Sequence, residues 1–398
     1  MIAPADRISS VSEYYFSVKL KEIAVMNAEG ADVINLGIGS PDLPPSKATV
    51  DALTECARKA DTHGYQPYVG LPQLRSGFAD FYRKWYGVEL DPAKEVLPLM
   101  GSKEGIMHIS MAFVNPGDGV LVPNPGYPTY SSVSKLVGAE MITYSLDAEH
   151  GWQPDFADLE ARHAKGEINL DAVKLMWCNY PNMPTGANGS EELFRALVDF
   201  GKRHDIIICH DNPYSFVLNE HPISILAVPG AKDICIELNS MSKSFNMPGW
   251  RIGMLASNPR FVEWILRVKS NMDSGMFKGL QLAAVEALKA DKAWFDGMND
   301  VYSRRRDLAR RILRAVGTEP REDQVGLFLW AKVQDTSVAH DGISSGQAIC
   351  DRVLYDAKVF LTPGFIFGSN GNDYVRISLC ANEETLAKAL ERIEKLNK

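Results

Sequence analysis

With 398 residues, 45% of them hydrophobic and 23% charged, the chain can bury a sizeable core and is long enough for roughly two or three domains. Its 42 basic and 50 acidic residues leave a formal charge of −8, so no global basic surface exists to neutralise a nucleic-acid backbone or an anionic membrane. A mean hydropathy of −0.14 argues against a membrane-spanning chain and for a soluble one.

The first residues show no basic region followed by an apolar stretch and a small-residue cleavage site, so no secretory signal is expected and the cytoplasm is the default. Six scattered cysteines, none in a Cys-x-x-Cys pair, fit neither a disulfide scaffold nor a zinc site. The stretch ahead of Pro44 has no expected sheet partner and should pack on the C-terminal part of the chain. Its Gly37-Ile38-Gly39 lacks the third glycine of a dinucleotide fingerprint, because Asp42 stands there.

Further on, Gly101-Ser102-Lys103-Glu104-Gly105 opens a helix expected over Ile106 to Val114. Free N–H groups at such a start form an anion site, although the Walker spacing is absent. Apolar, β-branched runs follow at Val120-Leu121-Val122, Val173 to Trp177, Ile206-Ile207-Ile208 and Ile234 to Leu238. Separated by helical segments such as Glu191 to Arg203, with Ser190 as N-cap, they predict an α/β fold with a mostly parallel sheet covered on both faces.

Two of these strands run into polar turns. Asp211, in His210-Asp211-Asn212-Pro213-Tyr214, stands at the carboxyl end of a buried strand, where α/β proteins open their ligand crevice. Taken alone, Asp-x-x-Tyr is so short that a capping aspartate is the preferred reading, and His210 reads as packed. No histidine spacing suits a metal, and none is assigned. The next strand ends in Ser240-Met241-Ser242-Lys243-Ser244-Phe245. Desolvation there would favour a neutral lysine able to form a Schiff base. With Arg251 following, two cations and several hydroxyls around one turn read as a phosphate pocket. After about Glu286 the character changes. A long helix over Asp291 to Arg314, strands at Gly326 to Val333 and Tyr374 to Leu379, and a last helix carrying Leu386, Leu390 and Ile393 predict a smaller α+β domain and a cleft between two bodies.

In this order, Asn35-Leu36-Gly37-Ile38-Gly39-Ser40-Pro41-Asp42, Tyr65-Gln66-Pro67-Tyr68-Val69-Gly70-Leu71-Pro72, Asn124-Pro125-Gly126-Tyr127-Pro128, Asp211-x-x-Tyr214, Ser240-x-Ser242-Lys243 and Val375-Arg376-Ile377-Ser378 resemble the fold type I pyridoxal phosphate enzymes, specifically the class I/II aminotransferases. The resemblance spans essentially the whole chain. It implies a large cofactor-binding domain over residues 46–285, with residues 1–45 and 286–398 forming the small domain that closes the cleft. The Gly101 to Gly105 run and Asn115-Pro116-Gly117-Asp118 are most similar to the LL-diaminopimelate aminotransferase branch, while aspartate and alanine aminotransferases share much of them.

The resemblance implies pyridoxal 5'-phosphate held by Lys243, with Asp211 on the pyridine nitrogen, Tyr214 on the phenolic oxygen and Tyr127 stacked on the ring. Ser102, Lys103, Ser240, Ser242 and Arg251 would hold the phosphate. Tyr65 would serve a neighbour's phosphate, which implies a homodimer with shared active sites. Arg376, with Gly39 beside it, would grip the substrate α-carboxylate. One departure stands out: where the family reads Asn-Pro-Thr-Gly, this chain reads Asn182-Met183-Pro184-Thr185-Gly186, so either Asn182 or Asn179 replaces the missing amide or Tyr214 acts on the phenolic oxygen alone. The implied partners are an amino acid and a 2-oxo acid in a ping-pong exchange. A C–S lyase and a non-catalytic sensor on the same fold are the alternatives, and a dehydrogenase is disfavoured.

Overall fold

The apolar runs assemble into one seven-stranded sheet in the computed structural model, which describes residues 2–397. In spatial order its strands are Val96–Leu99, Gly253–Ala256, Cys235–Ser240, Ile207–Asp211, Val173–Asn179, Gly119–Asn124 and Glu140–Ser145. The Gly253–Ala256 strand runs antiparallel to both its neighbours, and the remaining pairs are parallel. Alternation explains why the central strands are apolar throughout. Val120, Val122, Leu175, Trp177, Ile236 and Leu238 enter one core, while Leu121, Met176, Cys178, Ile208 and Cys235 enter the other. The edge strand Glu140–Ser145 buries Ile142 and Tyr144 and exposes the residues between and beyond them.

Helix Glu191–His204 has Glu191 and Glu192 in its first turn, while Lys202, Arg203 and His204 fill its last. The Ser190 hydroxyl accepts from the Leu193 N–H at 3.1 Å, and Leu193, Phe194, Leu197, Val198 and Phe200 are buried. The helix expected from Ile106 begins earlier, spanning Ser102–Phe113. Gly101, at φ +85°, turns the chain so that Ser102 is its first residue.

A second sheet orders Thr362–Pro363, Tyr374–Ser378, Phe328–Val333 and Thr318–Pro320, all antiparallel. Helix Lys292–Ala315, capped by Asp291, contributes Ala309, Ile312 and Leu313 to the same core as Leu329 and Val375. The N-terminal stretch docks on this part of the chain, but the expectation that it lacks a sheet partner is corrected. Ile34–Asn35 pairs in parallel with Val359–Phe360, because the apolar Val33, Ile34 and Leu36 are buried there. Asp42 then meets Arg305 through two hydrogen bonds of 2.6 and 2.9 Å. Among the described residues no helix is long and apolar enough to cross a membrane.

Candidate active site

Asn179, Asp211 and Ser240, the last residues of three adjacent parallel strands, face one cavity of about 330 Å³. Asp211 is buried, and one of its carboxylate oxygens, Oδ2, accepts from the Tyr130 hydroxyl at 2.9 Å. Its other oxygen, Oδ1, is buried with no partner. Burial pushes this carboxyl up to about 6, against the Tyr130 hydrogen bond, which favours the ionised form. Tyr130 was missed in the sequence. It stacks on Trp177 with centroids 5.2 Å apart, and its only signal is its place one helical turn after Tyr127. Tyr127 and Tyr214 line the same cavity, and burial holds the Tyr214 phenol well above its ordinary range. His210 faces away from the cavity and is packed, its ring nitrogens 3.0 Å from Glu237 Oε2 and 2.8 Å from the Tyr180 carbonyl oxygen.

Strand Cys235–Ser240 leads directly into the short turn of helix Met241–Ser244, which aims Lys243 into the cavity. Its Nζ donates to the Gly39 carbonyl at 2.5 Å. Burial lowers the Lys243 pKa, with the Arg376 and Arg251 charges acting in the same direction and Cys380 and Asp211 opposing. Beside it, Ser102 and Lys103 begin their helix. A Cβ on Gly101 would strike the Arg251 guanidinium, and one on Gly253 would lie 2.8 Å from the Ser102 N–H. Two glycines therefore let backbone and arginine close around the same space. Arg251 donates to the Pro248 carbonyl at 2.9 Å and lies 3.5 Å from the Ser242 hydroxyl. Burial, and secondarily Arg251, lowers the pKa of Lys103. A helix start, the Ser102, Ser240 and Ser242 hydroxyls and two cations converge here, a set of groups suited to an anion.

At the opposite end stands Arg376, which pairs with Trp330 across the second sheet. Its Nη2 donates to the Gly37 carbonyl at 2.7 Å, its Nη1 to the Met183 sulfur at 3.1 Å, and its Nε has no partner. The rings of Phe328, Phe367 and Phe16 surround the guanidinium at 4.0, 4.7 and 5.6 Å. Burial pushes its pKa down to about 10.

One expectation needs correction. Asn182 does not face the cavity: its amide donates to the Asn179 carbonyl, and its oxygen accepts from the Thr185 N–H and hydroxyl. The asparagine that lines the cavity is Asn179, already tied to the Asp211 carbonyl and the Met183 N–H. Tyr65 is not brought to the cavity by its own chain, being 92% exposed. Glu104, His108 and Asp273 also converge, their ligating atoms within 4.8 Å of one another. There the Lys269 ammonium, 2.8 Å from Asp273, already supplies the countercharge.

An unpaired buried carboxylate oxygen, an anion site and a desolvated lysine between them suit a ligand with a ring N–H at one end and a phosphate on its side. That is the form of pyridoxal phosphate. The family model described as aminotransferase class I and II matches residues 31–393, and the chain belongs to this family, which uses that cofactor. It is 39% identical over 395 residues to the LL-diaminopimelate aminotransferase of Oleidesulfovibrio alaskensis, covering 98% of each chain. It is 40% identical to that of Halothermothrix orenii, covering 98% of this chain and 97% of the other. Among solved structures, substrate-bound BacF from Bacillus subtilis superposes with a TM-score of 0.91 at 35% identity, over 100% of this chain and 98% of that one. An aromatic aminotransferase from Pyrococcus horikoshii superposes with a TM-score of 0.85 at 28% identity, over 99% and 98%. The chain is an aminotransferase.

Proposed function

We propose that the cavity holds pyridoxal 5'-phosphate and that its residues move an amino group between an L-amino acid and a 2-oxo acid in two half-reactions. The observation that carries this reading is the unpaired Asp211 Oδ1, buried at a strand end in the cavity that also holds the Lys243 amine. An ionised Asp211 would accept from the pyridine N–H and keep that nitrogen protonated. Ser102, Lys103, Ser240, Ser242 and Arg251 would hold the phosphate. Tyr127 would cover the ring and Tyr214 would donate to its phenolic oxygen. When bound, the cofactor supplies an electron sink for the charge left at the substrate Cα.

Lys243 has two tasks. Its lowered pKa favours the neutral amine that attaches to the cofactor, and once released it takes the proton from the substrate Cα and later gives it up. Arg376 would hold the α-carboxylate beside Gly39, orienting the Cα–H bond toward Lys243. Residues 46–285 would form the body that holds the cofactor, with residues 1–45 and 286–398 closing over the substrate. Tyr65, exposed on its own chain, would complete the phosphate site of a second copy in a homodimer. The names of the relatives make LL-diaminopimelate the first donor to try, followed by aspartate and alanine, each with 2-oxoglutarate as acceptor.

Borohydride treatment of the yellow protein followed by peptide mapping should place the pyridoxyl group on Lys243, and label on any other lysine sinks the assignment. Product analysis then separates reaction classes. A new amino acid formed only when a 2-oxo acid is present is the expected result, whereas ammonia and pyruvate released without one would mark a C–S lyase.

A further inference from the structure

Met183 stands where the family carries the asparagine of Asn-Pro-Thr-Gly, and its sulfur lines the cavity against Arg376. Arg376 is buried, and each guanidinium N–H without a partner in such a place carries a desolvation cost. Gly37 accepts from Nη2 at 2.7 Å, Met183 accepts from Nη1 at 3.1 Å, and Nε is left unpaired. A thioether is a weak acceptor, whereas a carboxylate is a strong, charged one suited to two parallel bonds from an arginine. A carboxylate that meets the guanidinium end-on bonds to Nη1 and Nη2 together, and Nη1 is the nitrogen that Met183 already contacts.

We propose that Met183 is a positioning residue that sets α-carboxylate affinity. It holds Arg376 Nη1 before the substrate arrives and yields that N–H to the carboxylate. This rests on the reading of Arg376 as the carboxylate site. Met183 Sδ is then a competitor of tuned weakness: a stronger acceptor would lock the arginine, and a non-acceptor would leave it more available. Asn179 is held in place by its own bonds, its oxygen accepting from the Met183 N–H at 2.7 Å and its amide donating to the Asp211 carbonyl at 2.6 Å.

The test measures dissociation constants of two unreactive carboxylates, 3-phenylpropionate and glutarate, by calorimetry on the cofactor-loaded protein. Met183→Leu removes the acceptor and keeps the apolar bulk, and it should bind both probes as tightly as the parent or up to about threefold tighter. Met183→Gln introduces a strong acceptor and should weaken both by about tenfold, the worth of an ordinary hydrogen bond. In turnover, the change should fall mainly on KM for the amino donor and less on kcat. If Met183 only fills space, both variants weaken binding. That common direction, with Arg376→Ala still abolishing binding, overturns the proposal alone. If Arg376→Ala leaves binding unchanged, the carboxylate site lies elsewhere and the reading beneath the proposal falls with it.

Discussion

At the side of the cavity proposed for the phosphate, Ser240, Ser242 and Arg251 come from a single stretch of chain, and Ser102 and Lys103 from one helix start beside it. At the other side Arg376 is walled by Phe16, Met183, Phe328 and Phe367, which come from four separate segments. The first region is made by local geometry, strand ends and turns whose backbone donors are placed to meet an anion. The second is made by packing between distant parts, where one side chain can change without disturbing the sheet. A group common to every turnover belongs in the first, and selectivity among substrates in the second.

Lys243, between the two regions, should show the largest effect. Lys243→Ala should cost about 10⁴-fold or more in turnover, since it removes a proton-transfer group as well as the anchor. Single-turnover rates measure this, and a loss below about tenfold would place the base elsewhere. Asp211→Asn comes next, removing the charge that faces the ring nitrogen, with an expected loss of about 10²- to 10³-fold. Its second signature lies in the cofactor-free protein. The Asp211 carboxyl is raised from 3.8 to about 6 by burial, so between these values the folded state binds more protons than the unfolded one. Stability should therefore fall as pH rises from about 4 to about 6 and then level off. The difference is on the order of 3 kcal/mol, and thermal melts of Asp211→Asn should lack this slope. If variant and parent melt in parallel across that range, Asp211 is not the titrating group.

The two arginines test the comparison most directly. Arg251→Ala should weaken cofactor binding by about tenfold to a hundredfold, recovered by excess pyridoxal phosphate, with little change in donor KM at saturation. Arg376→Ala should leave the protein yellow and raise donor KM by a similar factor. Bleaching by Arg376→Ala together with a donor-KM effect alone from Arg251→Ala would reverse the assignment of the two ends.

What could be read from sequence follows the same division. The strand runs, the Ser190 cap and Lys243 just past a strand end were legible because a buried parallel strand leaves a continuous apolar signature and its end a polar one, whereas Asp211 at the end of its strand read as a cap until the resemblance gave it a role. Arg376 was legible as a strand arginine among apolar neighbours. The Tyr130 hydrogen bond to Asp211, the thioether on Arg376 and the phenylalanine walls are contacts between segments far apart in the chain, and no spacing encodes them. Asn179 and Asn182 show how narrow the margin is. Three residues apart around one turn, one faces the cavity and the other folds back on Thr185, a difference of local geometry that residue type does not reveal. The pairing of Ile34–Asn35 was missed because a two-residue strand carries almost no periodicity.

The smallest expected effect concerns Tyr65, which belongs to neither end of its own chain's cavity. With 92% of its surface exposed and a phenol free to reach outward, it contributes to the phosphate region only if a second copy brings that region to it. Tyr65→Phe removes one hydrogen bond to an anion already held by several donors, so cofactor affinity should fall by only about threefold to tenfold. The informative readout is complementation. In the proposed homodimer, Lys243→Ala and a more disruptive Tyr65→Ala are each defective in both sites. A mixed dimer contains one site with a native Lys243 from one copy and a native Tyr65 from the other. Co-refolded mixtures should therefore regain activity, approaching one working site per mixed dimer. Activity no higher than the sum of the two variants, in a mixture shown to exchange subunits, would confine Tyr65 to its own chain's surface and leave the phosphate end complete within a single copy.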